Sequence, residues 1–131
     1  MNAKDHLART HAALKALDPE AIDQAGMALV HALDQGGMVY TCGNGGSAAE
    51  ALHLVEEVIG CYRNRARPAR AAVCLNADPT TLTCIANEFG YENIFSRQLE
   101  ALLRPEDVLI VLSTSGESRN IINALQVARH T

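Results

Sequence analysis

The sequence predicts an α/β domain: a parallel sheet between helix layers, a three-layer α/β/α sandwich, preceded by two N-terminal helices. Three observations predict it. Residues 38–42, 71–75 and 108–112 are short runs that are apolar on both faces, as strands buried between helices are. Longer segments with apolar residues at helical spacing separate and follow these runs. Two of the three strand-to-helix junctions are rich in glycine or in hydroxyls.

Residues 3–17 place Leu7, Leu14 and Leu17 near one face of a first helix. Asp18-Pro19-Glu20 then marks a boundary, because aspartate caps a helix and proline suits its first turn. Residues 21–33 carry Ile22, Ala25, Leu29 and Leu33 at helical spacing, and Asp34-Gln35-Gly36-Gly37 ends that helix. Residues 1–36 thus read as a helical arm and 37–131 as the α/β part of a single domain. Within that part, strand 38–42 leads to helix 48–59. Strand 71–75 leads, through an Asp78-Pro79 helix start, to helices 80–86 and 91–102. Strand 108–112 leads to helix 117–128. The alternation implies right-handed crossovers. Strand 108–112 is the most apolar element and is expected to have a strand on each side. Three strands make a thin sheet, so the domain reads as incomplete at its C-terminal end.

The chain has 131 residues, 48% of them apolar, and a net charge of −4 with 11 lysines and arginines. That is too small a basic footprint for a dedicated nucleic-acid binder. The cluster Arg63, Arg65, Arg67 and Arg70 is a solvated connection, a subunit contact or a loop that meets phosphate. No apolar run reaches the ~18 residues of a membrane span, and the start lacks the order of a secretory signal, so a cytoplasmic location is expected. The four cysteines, Cys42, Cys61, Cys74 and Cys84, have the wrong spacing for a structural zinc site. Cys42 and Cys74 in strands, and Cys84 in an apolar helical stretch, read as small hydrophobes.

The candidate chemistry gathers at the strand ends. Cys42-Gly43-Asn44-Gly45-Gly46-Ser47 joins a strand to a helix. Its glycines permit close backbone approach, and the helix start offers unpaired N–H groups to an anion. The bland alternative is a tight turn with Ser47 as a cap. The cluster is neither G-x-G-x-x-G nor a P-loop, so nucleotide binding has little support. The second junction, Ser113-Thr114-Ser115-Gly116-Glu117-Ser118, offers four hydroxyls at a strand's carboxyl end, where open α/β sheets bind ligands. Local capping accounts easily for one or two of these hydroxyls and less easily for four. His53 and Glu57, four apart, share a helical face. They read as half of a divalent-metal site, as a general base at Glu57, or as a plain hydrogen-bonded pair, which spacing alone favours. Glu56, adjacent to Glu57, is expected to point elsewhere. Asn87 and Glu88 close a helix and either hold sugar hydroxyls or cap backbone.

Taken in order, these motifs resemble the sugar isomerase (SIS) domain family, and within it the phosphoheptose isomerases. The likeness runs through CGNGGS, H-x-x-x-E at His53 and Glu57, Tyr62-Arg63, Asp78, Cys84, Asn87, Phe89-Gly90, the stretch 94–98, Glu106-Asp107-Val108 and STSG-x-S. The resemblance implies conversion of D-sedoheptulose 7-phosphate into D-glycero-D-manno-heptose 7-phosphate through an enediol or enediolate, as in heptose biosynthesis. It implies substrate contacts at Asn44, Gly45, Gly46, Glu57, Asn87 and Glu88, and a phosphate grip at Ser113, Thr114, Ser115 and Ser118. It implies zinc on His53 and Glu57, with Glu57 as the catalytic base, and a homotetramer with active sites between subunits.

Three departures qualify the likeness. Glu88 stands where the family usually has aspartate, and Cys61 follows Gly60 where it often has arginine. The family's last third, with a C-terminal glutamine and histidine that complete the metal and acid/base sets, has no counterpart here, and His130 does not match that histidine. These 131 residues are therefore expected to bind zinc weakly and to turn over no substrate. The competing reading is a non-catalytic SIS-domain protein that binds the bacterial replication initiator or another protein. Ala48 and Ala49, with Leu75-Asn76 before Ala77-Asp78, lean towards it.

Overall fold

In the computed structural model, which describes residues 2–131, the elements run α1 (Ala3–Lys15), α2 (Pro19–Asp34), β1 (Val39–Gly43), α3 (Gly46–Ile59), β2 (Ala72–Cys74), α4 (Pro79–Phe89), a 3-10 turn (Tyr91–Asn93), α5 (Ser96–Leu102), β3 (Val108–Leu112) and α6 (Arg119–His130). The chain separates into two compact units, one ending at Val30 and the other running from His31 to Thr131. In the first, Asn2 caps α1 by accepting the Asp5 N–H at 2.9 Å, and Asp18 starts α2 by accepting the Glu20 N–H at 3.0 Å. Leu7, Leu14, Leu17, Ile22, Met27 and Val30 are exposed there.

The second unit holds a three-stranded parallel sheet in the order β2-β1-β3. All five residues of β1 are buried, as the central position requires. β3 is an edge strand and every one of its residues is only half-buried, so the expected second neighbour is not found within residues 2–131. Helices cover both faces. On one, the Thr41 hydroxyl donates to the Ala51 carbonyl of α3 at 2.9 Å. On the other, Tyr40 and Cys42 pack with Ile85 of α4, with Phe95 and Leu99 at α5, and with Ile121 and Ala124 of α6. This is the expected α/β/α sandwich.

The segment 91–102 is not one helix. It breaks between the 3-10 turn and α5, where Ile94 and Phe95 both drive into the core. The Gln98 side chain covers the break by donating to the Ile94 carbonyl at 2.7 Å and to Leu75 at 3.1 Å.

Two of the four arginines in the cluster serve helix ends. Arg67 donates to the Glu57 and Val58 carbonyls at the end of α3, both at 2.8 Å. Arg70 donates to the Leu33 carbonyl and pairs with Asp34 at 2.7 Å at the end of α2. A cation suits both places, where unpaired carbonyls converge. Among the described residues no helix is long and apolar enough to cross a membrane.

All four cysteines are free thiols. Cys42 and Cys74 are buried as expected, but Cys84 is exposed, because it sits one residue before the buried Ile85 and so turns off the core face of α4. Burial, with the neighbouring Cys74, pushes the Cys42 thiol up to about 12, so it stays protonated and unreactive. A thiol reagent at neutral pH is expected to label Cys61 and Cys84 quickly in the native protein, and all four only after denaturation. Rapid native labelling of Cys42 would contradict this packing.

Candidate functional site

β1 and β3 are parallel neighbours, so the turns that follow them lie side by side at the carboxyl edge of the sheet. After β1 the chain passes Gly43 and Asn44 and turns at Gly45 (φ 55°, ψ −120°), a backbone state that side chains disfavour. α3 begins at Gly46, with Gly45 as its cap residue and no side-chain cap bond. Ser47 therefore lies inside the first turn rather than capping it, because the glycine takes the turn instead. The N–H groups of Gly45 and Gly46 find no acceptor among the described residues.

Asn76, just beyond β2, fastens this turn. Its Oδ1 accepts the Gly43 N–H at 3.1 Å and its Nδ2 donates to the Gly43 carbonyl at 3.0 Å. A side-chain amide thus prolongs the β1–β2 ladder by one rung. Asp78 caps α4, as expected; the Thr81 hydroxyl, then the Thr80 and Thr81 N–H groups, hold its carboxyl below the usual range.

The hydroxyl turn divides its four hydroxyls evenly. Ser113 Oγ accepts the Gly116 N–H at 3.1 Å, and Ser115 Oγ accepts the Glu117 N–H at 3.2 Å. Gly116 supplies the positive φ of 69° that the turn needs. Thr114 and Ser118 have no side-chain partner among the described residues; Ser118 occupies the cap position of α6, yet its hydroxyl makes no cap bond. Local capping therefore accounts for two hydroxyls and leaves two beside the start of α6.

The two turns are joined. Asn44 Nδ2 donates to Asn120 Oδ1 at 3.0 Å, and Asn120 Nδ2 donates back to Asn44 Oδ1 at 2.8 Å. The Tyr91 hydroxyl donates to the same Asn44 oxygen at 3.0 Å. Asn87 and Glu88 are exposed in the last turn of α4, where the Asn87 amide donates to Glu88 at 2.7 Å. No hydrogen bond connects that pair to either turn. Asn76, Tyr91 and Asn120 were not singled out as site residues from the sequence. Asn120, two residues past Ser118, carried at most a positional hint, and Tyr91 carried none.

His53 and Glu57 meet as the spacing predicts, Nε2 to Oε1 at 3.4 Å. Glu56 does not point elsewhere: its carboxylate lies 3.7 Å from His53, because residues three and four apart both adjoin on a helix. The three donor atoms lie within 4.8 Å of one another. His53 and Glu56 are exposed, whereas Glu57 is mostly covered and borders a cavity of about 470 Å³ with Leu54, Val58 and Tyr62. One imidazole nitrogen with two carboxylates is a donor set of the N/O kind that zinc takes. His53 is seven residues past the start of α3, roughly 10 Å along its axis. No bond links the cluster to the two turns.

The structure is thus an open parallel α/β domain with two donor-rich turns at the carboxyl ends of adjacent strands. The chain belongs to the SIS domain family, whose pattern matches residues 4–131. It is 47% identical over 116 residues to a phosphoheptose isomerase of Thiobacillus denitrificans, an alignment that spans 88% of this chain and 58% of that protein. It is 44% identical over 110 residues to a phosphoheptose isomerase of Haemophilus ducreyi, spanning 84% of this chain and 56% of that one. The chain therefore spans less than two thirds of the length of these relatives. Among solved structures, a phosphoheptose isomerase from Francisella tularensis superposes with a TM-score of 0.87 at 33% identity, over 99% of this chain and 71% of that one. Another from Neisseria gonorrhoeae superposes at 0.85 and 38% identity, over 97% and 67%.

Proposed function

We propose that the protein carrying this sequence isomerises D-sedoheptulose 7-phosphate to D-glycero-D-manno-heptose 7-phosphate. One observation carries the proposal. A hydroxyl turn with two unpartnered hydroxyls adjoins a glycine turn with free N–H groups, and the helix leaving that glycine turn carries His53 and Glu57. In chains 44–47% identical to this one, the name is phosphoheptose isomerase.

Thr114, Ser118 and the first N–H groups of α6 hold the phosphate, which orients the sugar and contributes binding energy remote from the reacting carbons. Asn44 and the N–H groups of Gly45 and Gly46 meet sugar oxygens, and Asn87 and Glu88 approach from the end of α4. Glu57 takes a proton from C1 of the ketose, giving the enediolate, and the proton returns to C2; one further proton passes from O1 to O2, which completes the aldose. His53 and Glu57, with Glu56 beside them, are the residues that would hold zinc. When bound, zinc supplies Lewis-acid polarisation of the sugar carbonyl. The exposed apolar side chains of α1 and α2 support self-association, and we propose for it the tetramer that the family resemblance implies. Four free thiols suit the reducing cytoplasm.

The test is an assay of a full-length version, as long as the relatives, with sedoheptulose 7-phosphate in the presence of zinc. Glu57→Gln is expected to lower kcat by about 10²–10⁴-fold, the usual contribution of a general base. Ser118→Ala is expected to act mainly on KM. Folded, zinc-loaded protein that forms no aldose product would refute the reading.

A further inference from the structure

We infer that Asn120 and Tyr91 are positioning residues: they lock the Asn44 amide with its oxygen occupied, so that this side chain, beside the Gly45 and Gly46 N–H groups, shows the ligand only an N–H donor. The inference deepens the sugar-phosphate reading above and rests on it for the identity of the ligand.

The orientation can be followed atom by atom. Asn120 is 2% exposed, and one of its amide atoms lies 3.0 Å from the Ile121 N–H. A backbone N–H can only donate, so that atom is the oxygen. The same oxygen also accepts from Asn44 Nδ2 at 3.0 Å. Asn120 Nδ2 is then left to face Asn44 Oδ1, at 2.8 Å. The Tyr91 hydroxyl takes the other lone pair of that oxygen at 3.0 Å. Asn44 therefore has one allowed orientation, fixed by the backbone of α6. Its acceptor is used up, and one N–H of Nδ2 remains.

This has a chemical consequence for recognition. The turn offers the Gly45 and Gly46 N–H groups and the spare Asn44 N–H, with no acceptor among these groups. These three groups fit phosphate or carbonyl oxygen, and a hydroxyl that must donate finds no partner among them. A flipped Asn44 amide would place an oxygen against the ligand's own oxygen. Because Asn120 is buried and its bonds to Asn44 bridge the segments that follow neighbouring strands, each turn also fixes the position of the other.

Asn120→Asp tests this. It is nearly isosteric and still accepts from Ile121 and Asn44, but it cannot donate to Asn44 Oδ1. Binding of sedoheptulose 7-phosphate is measured by titration calorimetry, and exchange of the Asn44 side-chain amide protons by NMR. Asn120→Asp is expected to weaken binding about ten-fold and Tyr91→Phe about three-fold, sizes typical of one lost hydrogen bond. In an Asn44→Ala background, Asn120→Asp should add less than about two-fold, since the group it positions is gone. Asn44 amide exchange should be slow in the wild type and fast in both single variants. Unchanged binding in Asn120→Asp, or losses that multiply with Asn44→Ala, would overturn the inference. Should Asn120→Asp fail to fold, Tyr91→Phe decides: its side chain is exposed, and unchanged binding and exchange would overturn the claim. A wild-type protein that binds no sugar phosphate would refute the isomerase reading instead. Amide exchange alone then decides the positioning claim, slow in the wild type and fast in the variants supporting it, equal rates overturning it.

Discussion

Truncating Phe95 to alanine is expected to cost about 3–5 kcal/mol, the usual range for a fully buried aromatic. Phe95 is wholly inaccessible and packs among Tyr40, Cys42, Leu75, Leu99 and Ile121, where the sheet meets α5 and α6. Removing the ring leaves a cavity that this junction can close only by moving α5, and α5 is tied down by Gln98 bonding to Leu75 and Ile94. Domains of this size have about 5–15 kcal/mol in all, so the loss takes a large share. The same change loosens the corner that carries Tyr91. Phe95→Leu, which keeps most of the volume, should cost less than about 1.5 kcal/mol. Urea denaturation of the three proteins measures both. A Phe95→Ala loss below about 1 kcal/mol would show that this side chain is not at the centre of the core.

The sequence revealed what local rules control. β3 has the expected bounds, because an unbroken apolar run between turn residues leaves little choice. Asp18 and Asp78 cap the helices that follow them, since aspartate before proline is a local signal. His53 and Glu57 meet because helical geometry alone brings them together. Tertiary packing decided the rest. The break in 91–102 falls at Ile94 and Phe95, whose burial in the core is a matter of packing and not of local pattern. Asn76 and Asn120 act on residues 33 and 76 positions away, a reach that no motif encodes. The hydroxyl turn was legible as a cluster. Which hydroxyls are spent on the backbone depends on its fold, and the answer is Ser113 and Ser115.

The three glycines of the first turn are expected to differ sharply when each is changed to alanine, because space requires glycine at Gly43, backbone angle requires it at Gly45, and neither requires it at Gly46. A Cβ at Gly43 would sit 2.6 Å from the Ser47 carbonyl carbon and oxygen and 2.8 Å from Ser47 Cβ. The first two of these are backbone atoms of α3, so the helix start must shift. That shift strains the two Asn76 bonds to Gly43 and the Asn44–Asn120 pair together. Overpacking and the loosened hydrogen bonds sum to about 3 kcal/mol or more, with loss of sugar-phosphate binding. Gly45 has open space around it, but its φ of 55° disfavours a side chain, so Gly45→Ala should cost about 1–3 kcal/mol through strain alone. At Gly46 nothing lies within 4 Å and φ is ordinary. Gly46→Ala should be neutral or raise stability by about 0.4–1 kcal/mol, since the unfolded chain loses freedom. Denaturation midpoints of the three variants give the order directly. If Gly43→Ala proves as harmless as Gly46→Ala, the close approach of β1 to α3 is not what fixes this turn, and the account of how the two turns are held in register fails with it.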